Sequence, residues 1–154
     1  MKKFDSPTAL AYDQDIRARI PGYDLIQDLL CSVLQVEVSE ENASVLVAGS
    51  GSAEEICRLG QQHPQWTFTG IDPSAAMNAL ALKKLQAREL ISRVQLEEKS
   101  VEQFSSAQRF AVGLSVLVSH FIPDDGSKEI YFQIIAKHLK PGAPLLIVDL
   151  IELS

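Results

Sequence analysis

Two glycines and a later aspartate have the spacing of a nucleotide-binding turn. Gly49 and Gly51 flank Ser50 directly after the apolar run SVLVA and before a segment of helical period. Glycine has no Cβ, so the backbone of such a turn can approach a ligand closely. Asp72 closes the next apolar run, 21 positions after Gly51, where a carboxylate can accept both ribose hydroxyls. Together these residues predict an adenosine site.

The residues that follow the second glycine discriminate between two classes of ligand. In the dinucleotide fingerprint, the third position after this glycine is small and the helix N-terminus faces a pyrophosphate. Here that position is Glu54, and Glu55 follows it. Two carboxylates would repel phosphates, whereas S-adenosylmethionine (SAM) has no phosphate and carries a positive sulfur. The charges therefore favour SAM over NAD, although the alternative that the glycines form only a tight turn and the glutamates only stabilise the helix dipole stays open.

Alternating apolar runs and helical segments predict an α/β fold with a mostly parallel sheet. Five strands are expected, at residues 44–48, 66–71, 94–97, 110–117 and 145–148. A helix reaching about Leu90 is expected after Asp72, and Asp124 with Asp125 favours the start of another helix between the last two strands. Upstream, two helices over about 8–20 and 23–36 are separated by Pro21-Gly22 and should cover the sheet or its ligand edge. The 154 residues suit a single domain, with N-terminal helices in 1–40 and the core in 44–154.

Composition narrows the class of partner. The net charge of -6 and the lack of a basic cluster argue against nucleic acid and favour a small-molecule partner. No apolar run approaches the roughly 18 residues that a membrane span needs, and the start MKKFDSP does not resemble a signal peptide, which predicts a cytoplasmic protein. Cys31 and Cys57 lack metal or redox spacing, so no metal site is expected.

Three stretches resemble class I SAM-dependent methyltransferases. VLVAGSGSAEEICRLGQQHPQWTFTGID, at 45–72, is similar to the first two motifs of the family, and FAVGLSVLVSHFIPD and LKPGAPLLIVDL are similar to its fourth strand and the approach to its fifth. The opening YDQDIRARIPGYDLIQDLL looks like the N-terminal helices of small-molecule methyltransferases. The resemblance covers nearly the whole chain. It implies a Rossmann-like sheet with helices on both faces and SAM as the cofactor.

The resemblance also assigns expected contacts by position. Gly49 and Gly51 would pass along the methionine part of SAM, and Asp72 would hold the ribose. Pro73, Ser74 and Met77 match the segment that borders the adenine. Further matched positions are Ser100 and Val101 beside the adenine amino group, and Ser115 and Tyr23 near the methionine end. At Ser100 the family usually has an acidic residue, so this sequence departs from the pattern there. Whether Glu102 replaces that acid stays open.

His120 is the candidate catalytic residue. It lies just beyond the fourth strand, near the expected methyl group, and an imidazole can act as a base toward a hydroxyl or an acidic carbon. A purely structural role for His120 is the competing interpretation. Three functions remain: methyl transfer to a small molecule, binding of SAM or S-adenosylhomocysteine (SAH) or of a protein without turnover, and, disfavoured by Glu54, an NAD-dependent oxidoreductase.

The end of the sequence departs from the family pattern. The family normally continues after strand five with a helix and a β-hairpin that complete the sheet, and this sequence stops at Ser154. The strand at 145–150 would then have an uncovered apolar edge. We expect either a homodimer formed through that edge or a truncated form of the fold.

Overall fold

The computed structural model describes residues 6–151, with side chains from residue 11 onward. The order of elements is α1 (Ser6–Arg19), α2 (Tyr23–Glu37), β1 (Ser44–Ala48), α3 (Glu54–Gln62), β2 (Thr67–Ile71), α4 (Ala75–Ala87), β3 (Val94–Glu97), β4 (Val112–Val116), α5 (Ser127–Lys137) and β5 (Leu145–Val148). Short 3₁₀ turns occupy Ile91–Arg93, Val101–Gln103 and Ser119–Phe121. The predicted α/β architecture with five strands is confirmed.

The five strands form one parallel sheet in the order β3-β2-β1-β4-β5. The connections run outward in one direction through β1, β2 and β3, and then return across the sheet to β4. The reversal lies between β1 and β4, and in open α/β sheets a ligand binds at the carboxyl ends of the strands at this point. The glycine turn after β1 and the segment after β4 both lie there.

Helices cover both faces of the sheet, so the central strands are buried on each side. On one face Val45 and Val47 of β1 pack in a core with residues of α2, α3 and α4. On the other face Leu46 and Ala48 pack with Tyr131 of α5 and with the turn that contains Val101. This two-sided burial explains why β1 is a continuous apolar run.

Several predicted boundaries were too generous, including that of the second strand, which begins at Thr67 rather than at 66. The helix after Asp72 ends at Ala87 rather than near Leu90, because Glu89 adopts a positive φ of 57° that turns the chain. The helix predicted from Asp124 and Asp125 begins only at Ser127, after Gly126 with a φ of 98°. The fourth strand is Val112–Val116 rather than 110–117, and at its end Leu117 has a φ of 57°.

Candidate functional site

The glycine turn joins β1 to α3 with its backbone in the left-handed region. Gly49 has a φ of 71° and Gly51 a φ of 49°. A Cβ at Gly49 would overlap the side chain of Val118 beyond β4, and one at Gly51 would lie 3.3 Å from Met77 Cε. Glycine is therefore required at Gly49 both by conformation and by space. The contact with Val118 also shows that the segment after β4 borders the turn.

The backbone N–H groups of the turn are already bonded to protein acceptors. Gly49 N and Ser50 N both donate to the carbonyl of Ile71, at 2.8 and 3.0 Å, and Gly51 N donates to Asp72 Oδ2 at 2.9 Å. A pyrophosphate site depends on backbone N–H groups that point at the ligand. The N–H groups of Gly49, Ser50 and Gly51 point instead at β2 and its end, which favours a ligand without phosphates.

Asp72 is partly buried at the end of β2 and oriented from both sides. Oδ1 accepts from Ser74 N at 2.8 Å, while Oδ2 accepts from Gly51 N at 2.9 Å. Burial raises the pKa of Asp72, and these two backbone donors oppose the shift. A carboxylate oxygen can accept more than one hydrogen bond. Asp72 is thus a fixed pair of acceptors that suits the two adjacent hydroxyls of a ribose.

The residues predicted on the adenine side lie at the start of α4 and in the turn after β3. Ser74 caps α4 by accepting from Met77 N at 3.2 Å, Met77 is buried, and Pro73 is exposed. Ser100 begins the 3₁₀ turn, and its backbone N donates to Gln103 Oε1 at 3.2 Å. The structure places them at the carboxyl edge of β2 and β3, where their contact with an adenine stays a prediction.

Val101, Ser115 and Tyr23 are predicted site residues with buried side chains. Val101 packs in the core beneath α5. Ser115 is fully buried, and its hydroxyl lies 2.9 Å from the Tyr131 hydroxyl, so the side chain is committed to α5. Tyr23 is buried at the start of α2, where burial raises its pKa, and its ring lies 5.3 Å from Arg17 Cζ. For these three residues, any contact with the ligand would require the backbone or a rearrangement.

The sequence predicts two carboxylates, Glu54 and Glu55, that would repel phosphates of a ligand. In the structure neither carboxylate is free. Glu54 pairs with Lys84 Nζ at 3.0 Å, Arg58 Nε at 3.0 Å and Arg17 Nη2 at 3.1 Å. Burial raises its pKa, but the hydrogen bonds from Lys84 and Arg58 outweigh burial and lower the pKa to about 2. The charge of Glu54 is therefore compensated, and the preference for SAM rests on the bonded N–H groups of the turn.

The Glu55 side chain is buried between α2 and α3. It accepts a hydrogen bond from Gln27 Nε2 at 2.6 Å. Burial raises its pKa, opposed by that hydrogen bond. Glu55 is thus a structural residue between α2 and α3, and only its backbone belongs to the helix start beside the turn.

A polar network that the sequence did not reveal ties α1 to the start of α3. Lys84 Nζ lies 2.9 Å from Asp13 Oδ2 and 3.1 Å from Ser52 Oγ, and Ser52 Oγ donates to Asp13 Oδ1 at 2.5 Å. Tyr12, next to Asp13, has a pKa raised to about 12, first by burial and then by the nearby charges of Glu55, Asp13 and Asp72. The network therefore holds α1 beside the turn and Asp72, in the covering position that the sequence predicted for the N-terminal helices.

His120 has a carboxylate partner that sequence reasoning missed. His120 Nδ1 contacts Asp149 Oδ1, and Asp149 Oδ2 accepts from the backbone N of His120 at 3.1 Å and from Ser119 Oγ. Burial raises the pKa of Asp149, but the hydrogen bonds from Ser119 and His120 lower it overall. In the sequence, Asp149 only interrupts an apolar run. The parallel pairing of β4 with β5 brings its carboxylate to His120.

No helix within residues 6–151 is long and apolar enough to cross a membrane. Over the same residues, no group of three or more His, Cys, Asp or Glu side chains is arranged to hold a metal ion.

Comparison with known proteins identifies the family to which the chain belongs. A sequence model of the family described as "Methyltransferase domain" matches residues 45–142. That match spans well over half of the chain, from β1 to the approach to β5. The chain belongs to this methyltransferase domain family, and its fold is the Rossmann-like fold of class I SAM-dependent methyltransferases.

Three solved structures illustrate the similarity. YjhP from E. coli is 26% identical, with a TM-score of 0.66. A SAM-dependent methyltransferase from Geobacter sulfurreducens in complex with SAH is 25% identical, with a TM-score of 0.65. Each of these alignments covers 79% of this chain and 46% of the other protein's chain. A putative SAM-dependent methyltransferase from Methanococcus maripaludis is 22% identical with a TM-score of 0.77, covering 96% of this chain and covered over 64%. This chain thus spans about half the length of the first two proteins. No curated protein matches it at the level of sequence.

Proposed function

We propose that this chain binds SAM at the glycine turn and transfers its methyl group to a small-molecule acceptor. The observation that carries the proposal is the turn itself: the N–H groups of Gly49, Ser50 and Gly51 are bonded to protein acceptors, while the Asp72 carboxylate is fixed beside them. Such a site offers two acceptors for a ribose. Its three N–H groups already donate to protein acceptors, so they do not point at a phosphate. Membership of the methyltransferase domain family supports SAM as the adenosine ligand.

The cofactor fits the residues at the turn. Gly49 and Gly51 expose backbone where the methionine part would pass, and the start of α4 borders the adenine side. When bound, SAM supplies an electrophilic methyl group on a sulfonium. Methyl transfer is an in-line displacement, so the protein has mainly to hold the nucleophile at near-attack distance from that carbon. The switch point between β1 and β4 is the place where the acceptor would meet it.

A second candidate is a protein that binds SAM or SAH, or a protein partner, without turnover. It is favoured by Ser100, which stands where the family usually has an acid beside the adenine. The weaker adenine contact would reduce affinity for SAM without removing the hydrogen bonds of Asp72 to the ribose.

The proposal of methyl transfer also keeps three predictions from the sequence. These are a single domain over 1–154, a small-molecule acceptor rather than nucleic acid, and a cytoplasmic location.

Calorimetric titration with SAM, SAH and NAD tests the binding step. We expect SAM and SAH to bind and NAD to give no heat. Transfer of a labelled methyl group from SAM then separates the enzyme from the binding protein. Absence of heat with both SAM and SAH would reject the proposed function, and NAD binding would restore the oxidoreductase.

A further inference from the structure

The His120 and Asp149 side chains form a dyad at the carboxyl ends of β4 and β5. His120 Nδ1 contacts Asp149 Oδ1, whose carboxylate is held by three further donors: the His120 backbone N at 3.1 Å, Ser119 Oγ and the Leu150 backbone N at 2.8 Å. A carboxylate with this many donors cannot rotate freely. It fixes both the orientation of the imidazole and the nitrogen that carries its proton.

The second ring nitrogen of His120, Nε2, is the atom that could accept a proton. With Nδ1–H directed at Asp149, Nε2 carries the lone pair, and no described residue donates a hydrogen bond to it. The His120 side chain is 23% exposed, so the ring is not closed off by the protein. The ring also packs on Phe121, with centroids 4.0 Å apart, which restricts its motion. An imidazole held in this way, with Nε2 free of a proton, is suited to act as a general base.

The histidine of the dyad lies in the segment after β4 that borders the glycine turn of the proposed cofactor site. Val118 touches the position of a Gly49 Cβ, and His120 follows two residues later in the same short segment. That segment is aimed by an unfavourable backbone: Leu117 has a φ of 57°, and its N donates to the Val148 carbonyl at 2.7 Å. Positive φ in a non-glycine residue costs free energy and is retained where the surroundings enforce it. Here the hydrogen bond to β5 holds the turn from which the segment with Val118 and His120 continues.

We propose that His120 is the general base for the acceptor, that Asp149 is its positioning residue, and that the acceptor class is a hydroxyl compound. This inference rests on the proposed function and adds its substrate class. In the step, Nε2 takes the hydroxyl proton while an oxygen lone pair forms the bond to the methyl carbon. The carbon–sulfur bond breaks with its electron pair moving to sulfur. The products are a methyl ether, neutral SAH and an imidazolium, which then returns its proton to water.

Of a hydroxyl and a thiol acceptor, the hydroxyl is the one that needs this arrangement more. An alcohol or phenol is a weak nucleophile while protonated, so removal of its proton in the transition state contributes about 10²- to 10⁴-fold to the rate. A thiol reaches its thiolate much more easily. A histidine fixed by a buried carboxylate is therefore matched to an O–H group.

NMR of the histidine rings in the protein saturated with SAH tests the geometry. His120→Gln assigns the His120 signal, and His63 and His138 serve as internal references. We expect Nδ1 to be protonated, Nε2 to be unprotonated, and the His120 signal to shift when SAH is added. Asp149→Asn should abolish the preference for the Nδ1–H form, whereas Ser119→Ala, which removes one donor to Asp149 but leaves the dyad, should retain it. An unprotonated Nδ1, or a signal that SAH does not move, would overturn the inference.

Labelled methyl transfer tests the chemistry, with 4-methylcatechol and 4-hydroxybenzoate as hydroxyl probes, 2-mercaptoethanol as a thiol probe and benzylamine as an amine probe. We expect a hydroxyl probe to be methylated. His120→Gln should lower kcat by about 10²- to 10⁴-fold with the KM for SAM unchanged, and added imidazole should partly restore His120→Ala. Asp149→Asn should lower kcat at least about tenfold. His138→Gln, at the far end of α5, should match the unmodified protein.

Two kinds of failure are distinguishable. If calorimetry shows no SAH binding, the proposed function itself fails. If SAH binds but only the thiol or amine probes are methylated, or no probe is, or if His120→Gln keeps the full kcat, the inference alone is overturned and His120 with Asp149 is a structural link between the β4 and β5 segments.

Discussion

Asp72 concentrates the polar recognition of the proposed cofactor in one side chain. Asp72→Asn keeps the shape but replaces one acceptor oxygen by a donor that faces Gly51 N or Ser74 N. Because hydrogen bonds to a charged group contribute about 1.5–3 kcal/mol, we expect SAH affinity to fall by roughly 10- to 100-fold. Calorimetry measures the change. Glu41→Gln makes the same charge change at the opposite end of β1 and should bind SAH normally; equal affinity of Asp72→Asn and the unmodified protein would remove Asp72 from the site.

Gly49 is constrained by both conformation and space, and Gly142 provides a matched comparison. Gly142 has a φ of 76°, close to the 71° of Gly49, but a Cβ there would meet nothing within 4 Å. Alanine should cost about 1–2 kcal/mol at either position through positive φ. At Gly49 the overlap with Val118 should add about 1–3 kcal/mol. Denaturant unfolding measures both; equal losses would show that the segment after β4 does not press on the turn.

The individual site residues differ in how far sequence could reveal them. Gly49 and Asp72 were predictable because strand ends and local turn chemistry fix their places within one βαβ unit. Lys84 and Asp149 were not, because their partners come from remote elements: Lys84 bonds Asp13 across 71 positions, and Asp149 bonds His120 across 29. Periodicity indicates which face of a helix is buried, but it does not reveal which charges meet across elements.

At the scale of elements, the start of α3 contains two adjacent carboxylates with opposite effects on stability. Glu54 has its pKa lowered from 4.5 to about 2, so it stabilises the fold above the unfolded pKa, and this contribution is lost as pH falls toward 2. Glu55 has its pKa raised by burial, so the folded state binds its proton more tightly and stability decreases as pH rises above the unfolded value.

We therefore expect Glu54→Gln and Glu55→Gln to behave oppositely. With the Glu54 side chain only 12% exposed, Glu54→Gln should cost about 2–3 kcal/mol at pH 7, and the difference should shrink from pH 5 to pH 2. Glu55→Gln should cost little at pH 7 and should gain relative to the unmodified protein as pH rises. Urea unfolding at a series of pH values measures both. A cost for Glu54→Gln that is constant across pH would contradict the ion-pair interpretation.

The elements themselves were predicted best where burial dictates sequence. The run SVLVA became β1 residue for residue because helices cover both of its faces. Boundaries set by single backbone angles were missed. The acidic pair Asp124 and Asp125 looked like a helix start, yet the left-handed Gly126 delays α5 to Ser127, and Asp125 instead accepts from Ser127 N at 3.1 Å. Whether the helix starts at Asp124 or after Gly126 depends on packing that composition does not encode.

At the scale of the whole molecule, β5 is the exposed margin of the sheet. It pairs only with β4 in the described part of the chain, so its other side presents backbone N–H and C=O groups without strand partners. Ile147, in the middle of β5, is 49% exposed, and Leu150 just beyond it is also exposed. An apolar edge of this kind favours pairing with another chain. The other margin, β3, carries Gln95 and Glu97, which are less suited to such pairing.

We therefore expect the 154-residue chain to form a homodimer through β5 at micromolar concentration. Ile147→Lys should shift the equilibrium toward monomer, because a lysine on an edge strand would lose solvation and face its symmetry mate. Ile130→Lys, at a similarly exposed position on α5, introduces the same charge away from the edge and should leave the dimer intact. Light scattering over a concentration series measures the mass of each. A monomer for the unmodified chain, or equal dissociation by both substitutions, would exclude the β5 edge as the interface.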